Sequence, residues 1–277
     1  MAIISWDNYV DDATITNNSA LESPVNSTED LTVENVKTRQ IGNVFRQTFA
    51  ALTSPQDELV IDFDLGSAKA TNLICILNHN MGGYTYTISF GTSSGGSQVG
   101  TTTGTFWDGT AYHPDNEMLY LASAYTAQYV RLAVAIPAAV SVSIGRVWLD
   151  SAWAYKNSMD FSVGVIDRST KSKSRAGSTY VSSRQKLRQL NIRAYGSSDT
   201  DFFGSSSDAD MKSFLTMDLA VGESGEIVCI PLHANQQERQ TTGVYGTISS
   251  NQAISVRDRG GSGLLTEKRF TVEEDRG

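Results

Sequence analysis

Between residues 59 and 150, apolar runs of strand length recur with no amphipathic helix between them. They are LVIDFDLG at 59–66, NLICILNHN at 72–80, YTYTISFG at 84–91, EMLYLA at 117–122, AQYVRLAVA at 127–135 and VSVSIGRVWLD at 140–150. In YTYTISF, Tyr84, Tyr86, Ile88 and Phe90 alternate with Thr85, Thr87 and Ser89, which gives the strand one apolar and one polar face. A parallel sheet needs a long crossover after each strand, and short Gly, Asn, Asp and Ser turn clusters occupy those places here. The pattern predicts an all-β chain that opens with an antiparallel sandwich.

The 277 residues suffice for two domains. The first is expected over 1–153. After VWLDSAW comes the polar, basic run DRSTKSKSRAGS, which has too little apolar surface for a core, so 154–175 is expected to be a linker or surface loop. Over 176–277 alternation resumes in TYVSSRQKLRQLNIRAY, GEIVCIPL, GVYGTISS, AISVRDRG and KRFTVEED, a β-rich domain. It should carry one short helix near 207–219, where Met211, Phe214, Leu215 and Asp218 or Leu219 fall at helical spacing behind Ser207 or Asp208 as N-cap. The Ser/Gly stretches at 92–104 and 204–208 read as loop tips.

Lys+Arg number 22 against 30 Asp+Glu, a net charge of −8. A surface that tracks phosphates would work against that field, so nucleic acid is not an expected partner. The start, MAIISWDNYVDD, lacks the basic and apolar regions of a secretory leader. The longest weakly polar stretch, YVRLAVAIPAAVSVSIG, contains Arg131 and Pro137 and alternates as strands do, so no membrane insertion is expected. Cys75 in LICIL and Cys229 in IVCIP should be buried, reduced thiols.

Chemical motifs are sparse. Gly91-Thr92-Ser93-Ser94-Gly95 fits G-x-S-x-G, yet a nucleophile elbow needs a helix directly after it, and Gly96, Ser97, Gln98, Val99 and Gly100 do not start one. A hairpin loop is expected there. His79, His113 and His233 lack the close spacing of zinc ligands. Asp62 and Asp64 share a strand face, either as a solvated acidic edge or as part of a cation site. Asn17 and Asn26 begin glycosylation sequons, which carry no weight without a leader. No catalytic centre, cofactor or essential metal is expected. The best ligand candidate is the loop 106–116, which combines Trp107, Asp108, Tyr112 and His113: aromatic faces for sugar C–H surfaces beside polar groups for hydroxyls. Alternatively, Trp107 and Tyr112 plug the end of the sandwich or pack on a neighbouring subunit. The basic run Arg168, Lys171, Lys173 and Arg175 is either a solvated loop or a dock for an acidic face of an adjacent subunit.

An N-terminal strand-like piece is followed by Ser23-Pro24-Val25-Asn26, then by Arg39-Gln40-Ile41-Gly42-Asn43-Val44-Phe45-Arg46. VIDFDLGSAKATNLICILNHNM comes next, and YVRLAVAI with GRVWLD closes the unit. This order resembles the galactose-binding-like, discoidin-type jelly roll found in tail proteins of long-tailed bacteriophages, with Phe45-Arg46 where Trp-Arg is usual. In that frame Asp62 and Gly66 would end a central strand in a tight turn. Asn78, His79 and Asn80 would close the next strand, His79 as a turn cap or else as a ligand. The likeness covers 1–153 and is weaker, by order and position alone, over the second domain. It implies a structural component of the virion tail, at or near the tip, made in the host cytoplasm and acting by assembly. Its partners would be other tail proteins and copies of itself in a threefold or sixfold ring. The alternative is a carbohydrate-binding module that recognises a host-surface glycan through the 106–116 loop.

Overall fold

Antiparallel strands make up most of the regular structure in the computed structural model. It describes residues 1–19, 27–49, 57–109, 115–137, 139–175, 177–184, 186–196, 199–205, 211–222, 224–258 and 264–275. The chain forms two compact units whose bounds differ from the expected division at 153 and 176. One, the sandwich unit, takes Asp7–Ala152 and Leu232–Gly243. The other, the sheet unit, takes Met1–Trp6, Trp153–Pro231 and Val244–Asp275.

The N-terminal strand β1 (Ala2–Ser5) therefore leaves the unit that follows it in sequence. The sandwich unit uses β2 (Thr14–Asn17), β3 (Ser27–Leu31), β4 (Phe45–Phe49), β5 (Asp57–Leu77), β6 (Thr85–Gly91), β7 (Gly100–Thr105), β8 (Glu117–Ile136), β9 (Val140–Ile144) and β10 (Arg146–Asp150). One sheet runs β10-β5-β8-β6-β7 with β2 also on β5, and the other runs β3-β4-β9. Their apolar residues form one core that includes Phe45, Phe49, Ile61, Phe63, Ile88, Phe90, Leu132, Val134 and Ile144. Each such side chain contributes about 1.5–3 kcal/mol by leaving water. The result is the expected antiparallel jelly-roll sandwich, built as the period-two pattern requires. In β6, Tyr86, Ile88 and Phe90 are buried while Thr85, Thr87 and Ser89 are not.

Three local expectations change. The segments at 59–66 and 72–77 lie on one long strand, which ends before the Asn78-His79-Asn80 turn, and 117–122 and 127–135 likewise share one strand. β5 and β8 stay paired through register shifts between Asp64 and Lys69 and between Thr71 and Leu73. Gly66, at φ 73°, sits in the first shift, a bulge rather than the strand end that its glycine suggests. Asp62 is neither solvated nor placed for a cation: it is 5% exposed and takes both Nε (2.7 Å) and Nη2 (2.8 Å) of Arg131, its cross-strand partner on β8. Asp64 accepts from Gln128 Nε2 and the Gly66 N–H, bonds that hold its carboxyl below its ordinary pKa. Third, residues 100–104, read as loop, are strand β7, paired with β6. Ser93 lies in the turn between them, its hydroxyl accepting from Gln98 Nε2.

The sheet unit contains β11 (Trp153–Tyr155), β12 (Met159–Asp167), β13 (Thr170–Lys173), β14 (Thr179–Ser182), β15 (Lys186–Gly196), α1 (Asp199–Phe203), α2 (Phe214–Val221), β16 (Glu226–Ile230), β17 (Val244–Asn251), β18 (Ser255–Asp258) and β19 (Leu264–Glu274). Its large sheet is ordered β11-β1-β16-β17-β19-β15-β12, with β18 also on β19. Phe202 of α1 and Phe214, Met217 and Val221 of α2 close one face over Ile4, Leu190, Ile192, Ile227, Val244, Phe270 and Val272. Residues 154–175, expected as a loop, instead supply β12, β13 and most of β11. β12 is an edge strand paired along its length with β15, so its Phe161 and Ile166 gain neighbours that the local composition does not reveal.

The helix expected near 207–219 runs from Phe214 to Val221. Ser213 is its cap: the Ser213 hydroxyl accepts from the Thr216 N–H and Thr216 Oγ1 accepts from the Ser213 N–H, a reciprocal box that Ser207 or Asp208 would have placed too early. Residues 206–210 lie outside the described residues. The helix is also not alone, since α1 and a third helix, α3 (Gln236–Thr242), accompany it. Cys75 and Cys229 are buried free thiols, with their pKa raised by burial. Among the described residues no helix is long and apolar enough to cross a membrane.

Candidate functional site

The site begins where β5 leaves the sandwich sheet. Asn78 takes φ 52°, a left-handed turn that Asn tolerates, and its amide donates to Ile41 O (2.7 Å) while its own N–H donates to Asn116 Oδ1. Gly145 fits beside this turn because it has no side chain, since a Cβ there would lie 2.3 Å from Ile41 O. Asn80 donates to Ser141 O and accepts from the Ser143 N–H. These are the loose backbone groups that an Asn-His-Asn strand end is suited to satisfy.

His79 between them is 3% exposed, and burial pushes its pKa down to about 3. Its Nδ1 accepts from the Met81 N–H (3.2 Å), which leaves the ring proton of the neutral imidazole on Nε2. The ring lies against Phe106, centroids 4.5 Å apart, and Phe106 lies against Tyr86 at 4.8 Å. Two backbone bonds, Gly83 N–H to Phe106 O and Phe106 N–H to Tyr84 O, place the 81–84 turn beside the start of the 106–116 loop.

Trp107 is half-buried, next to the exposed Asp108, and Gly109 packs on its indole so closely that a Cβ would meet Cζ2 at 2.4 Å. Its main-chain N–H donates to Glu117 Oε2 (3.2 Å). The two ring N–H groups, His79 Nε2 and Trp107 Nε1, are both buried, and neither finds an acceptor among the described residues. Of the four expected glycan contacts, Trp107 and Asp108 adjoin at this end of the sandwich. Tyr112 and His113 lie outside the described residues.

The sequence reading missed Glu117. It is 2% exposed, and its carboxylate gathers the Trp107 N–H, Gln236 Nε2 (2.8 Å), Gln240 Nε2 (3.1 Å) and, at 3.5 Å, the Tyr86 hydroxyl. Burial raises its pKa. Arg239 adds a bond from Nε to Met118 O (2.7 Å). α3 is thus fixed to the root of the loop by polar side chains, and His233 beside it meets Tyr120 edge-on at 5.3 Å. This arrangement can hold Trp107 and Glu117 in place against α3 and offer N–H donors. Among the described residues no group of three His, Cys, Asp or Glu side chains could hold a metal ion.

The basic run falls on a different structure. β13 and β14 form a two-stranded arm, closed by Ser174 N–H to Ser178 O and by Gly177 at φ 83°. All eight strand residues of the arm are exposed, and Arg175 is exposed at its tip. Arg168, at the base, is ion-paired with Glu273 (2.6 Å) in its own unit, whereas Lys171, Lys173 and Arg175 extend into solvent. Elsewhere on the sheet unit a groove of about 340 Å³ crosses Asp160, Ser162, Asn191, Arg193, Arg269 and Thr271. Glu267 next to it, bonded to Arg193 Nε (2.6 Å) and to Arg269, has its carboxyl held down at about 2 by those guanidinium bonds.

No family model matches the chain, and no curated protein matches it. Among solved structures the chain is similar to CpGH89CBM32-6 produced by Clostridium perfringens: TM-score 0.36, 14% identity, covering 52% of this chain and 98% of that one. A Streptococcus pneumoniae fucose-binding module, SpX-3, gives 0.36 at 11% identity, covering 54% and 99%. The lectin domain of lectinolysin complexed with Lewis B antigen gives 0.37 at 10%, covering 52% and 95%.

Proposed function

We propose that the chain is a non-catalytic carbohydrate-binding protein that uses the loop end of its sandwich unit to hold a glycan. The observation that carries this reading is the pair of buried ring donors, His79 Nε2–H and Trp107 Nε1–H, without acceptors among the described residues. A buried N–H left unbonded costs about 1–3 kcal/mol, and a sugar hydroxyl accepts one bond while donating another to a carboxylate such as Asp108. The half-buried indole supplies an aromatic face, and the Glu117 network fixes the Trp107 main chain so that little ordering of this residue remains when a ligand arrives. A panel of immobilised neutral and acidic oligosaccharides tests it. The intact chain is expected to be retained by at least one glycan class, and Trp107→Ala to weaken that retention tenfold or more while the protein stays folded. Retention of no glycan, or retention indifferent to Trp107→Ala, would overturn the reading.

A second reading, a virion tail subunit near the tail tip that works by assembly, is favoured by the arm. A solvated two-stranded hairpin is marginal by itself, and this one carries Tyr180 and Val181 at 62% and 55% exposure, the kind of surface that orders on a neighbour. The resemblance in residues 1–153 to jelly rolls of phage tail proteins points the same way. Detection of the chain by mass spectrometry in purified phage particles supports it, and absence from particles made while the chain is expressed removes it.

A further inference from the structure

We infer that the basic arm seats on the acidic sandwich unit of a second copy of this chain, alongside the outer edge of β3. The charges are divided unevenly. The sandwich unit, Asp7–Ala152 with Leu232–Gly243, holds 16 Asp and Glu against 7 Lys and Arg, whereas the sheet unit holds 14 of each, so the excess of acid belongs wholly to the sandwich unit. Within the balanced sheet unit, residues 168–186 hold six Lys and Arg and no acid. One copy thus offers a concentrated cation and a separate, broadly anionic unit, the complementarity that drives head-to-tail association of identical chains.

The arm is built to make such a contact. Its register sets Lys171 opposite Val181 and Lys173 opposite Thr179, so both lysines and Val181 share one face and Tyr180 lies on the other. Arg168 is committed to Glu273 at the root, which leaves Lys171, Lys173 and Arg175 to the partner. On the sandwich unit β3 is the edge of its three-stranded sheet, paired among the described residues only with β4. Residues 28–32 are all exposed and include Glu29, Asp30 and the 42% exposed Leu31, with the exposed Glu34 beyond them. Among the described residues Glu29 and Asp30 accept only from neutral donors (Asn17 Nδ2 and the Val33 N–H, and Thr48 Oγ1) and keep their charge for a partner, whereas Glu34 is ion-paired with Lys37 at 2.8 Å and would have to exchange it. Edge lysines alone would only guard a strand against pairing. Lysines on a solvated arm, with exposed Tyr180 and Val181 and an acidic edge strand of matching length on the same molecule, are arranged for pairing by strand addition.

This inference deepens the assembly reading and does not depend on glycan binding. Its test uses the purified full chain, so its outcome is separate from whether the chain is found in particles. Sedimentation velocity at low salt is expected to show species larger than a monomer, which dissociate as salt rises. K171E/K173E/R175E is expected to be monomeric with an unchanged circular dichroism spectrum, since all three side chains are exposed. D30K/E34K is expected to be monomeric too, and mixing the two variants is expected to restore association by exchanging the charges. Three results would overturn the inference: a wild-type chain that is monomeric at its highest soluble concentration, association that survives reversal of the arm, or reversed partners that fail to restore it.

Discussion

His79 connects burial, hydrogen bonding and pH at one side chain. In the unfolded chain it titrates near 6.5, whereas in the fold its pKa is pushed down to about 3 because the ring is desolvated. Between those values the unfolded chain binds a proton that the folded one refuses, so stability is full above pH 6.5 and falls as the pH drops toward 3. The slope from this one group is about 1.4 kcal/mol per pH unit. His79→Gln keeps a neutral acceptor for the Met81 N–H and removes the titration. Urea unfolding measured from pH 7 to pH 4 should therefore show a shallower decline for the variant than for the parent. Parallel declines would mean that His79 titrates in the fold as it does in the unfolded chain and is not the buried neutral ring whose Nδ1 accepts from the Met81 N–H.

At the scale of elements, the large sheet is fastened by a buried pair. Arg188 of β15 is 2% exposed and Glu274 of β19 is 3% exposed, and Nε and Nη2 of Arg188 donate to Glu274 Oε1 at 3.0 and 2.8 Å. Arg188→Leu would take a buried countercharge away from Glu274 and should cost about 3–5 kcal/mol. The double change with Glu274→Leu should recover most of that loss, as chemical denaturation of the three variants would show. The strands on either side were legible because alternation such as Leu190, Ile192 and Ala194 reports a strand whatever its neighbours are. β12 was missed although Met159, Phe161, Val163 and Val165 alternate with Asp160, Ser162 and Gly164, because the polar, basic run that follows it made all of 154–175 read as loop; its pairing with β15 shows the strand. α3 was hidden for another reason. QQERQTT has no apolar stripe to read, and its attachment to Glu117 is wholly polar; its one local signal is Asn235, which caps the Glu238 N–H three residues on. For the candidate site, the residue types of 106–116 were legible, but Glu117 and the donor on His79 depend on contacts between distant segments.

At the scale of the whole molecule, the chain order and the division into units disagree. The N-terminal piece is strand-like, but a run of four apolar or small residues, Ala2 to Ser5, fits any sheet, and pairing decides which one. Ile3 and Ile4 pair with Ile230 and Cys229 of β16 on one side and with Ala154 and Trp153 of β11 on the other, so the first strand completes a sheet whose other strands all come after residue 152. That closure over more than 200 residues is an entropic cost taken once and offset by burial of the strand on both edges. Ile4 is fully buried in the sheet unit's core with Phe214, Ile227 and Cys229. Ile4→Ala should remove about 2–5 kcal/mol by cavity formation, and the loss should fall on the sheet unit alone. Hydrogen exchange read by mass spectrometry is then expected to quicken in β11, β16 and β17 while amides of β5 and β8 keep their protection. Faster exchange in β5 and β8 with β16 unchanged would place the N-terminal strand in the sandwich after all, where its sequence position first suggests it belongs.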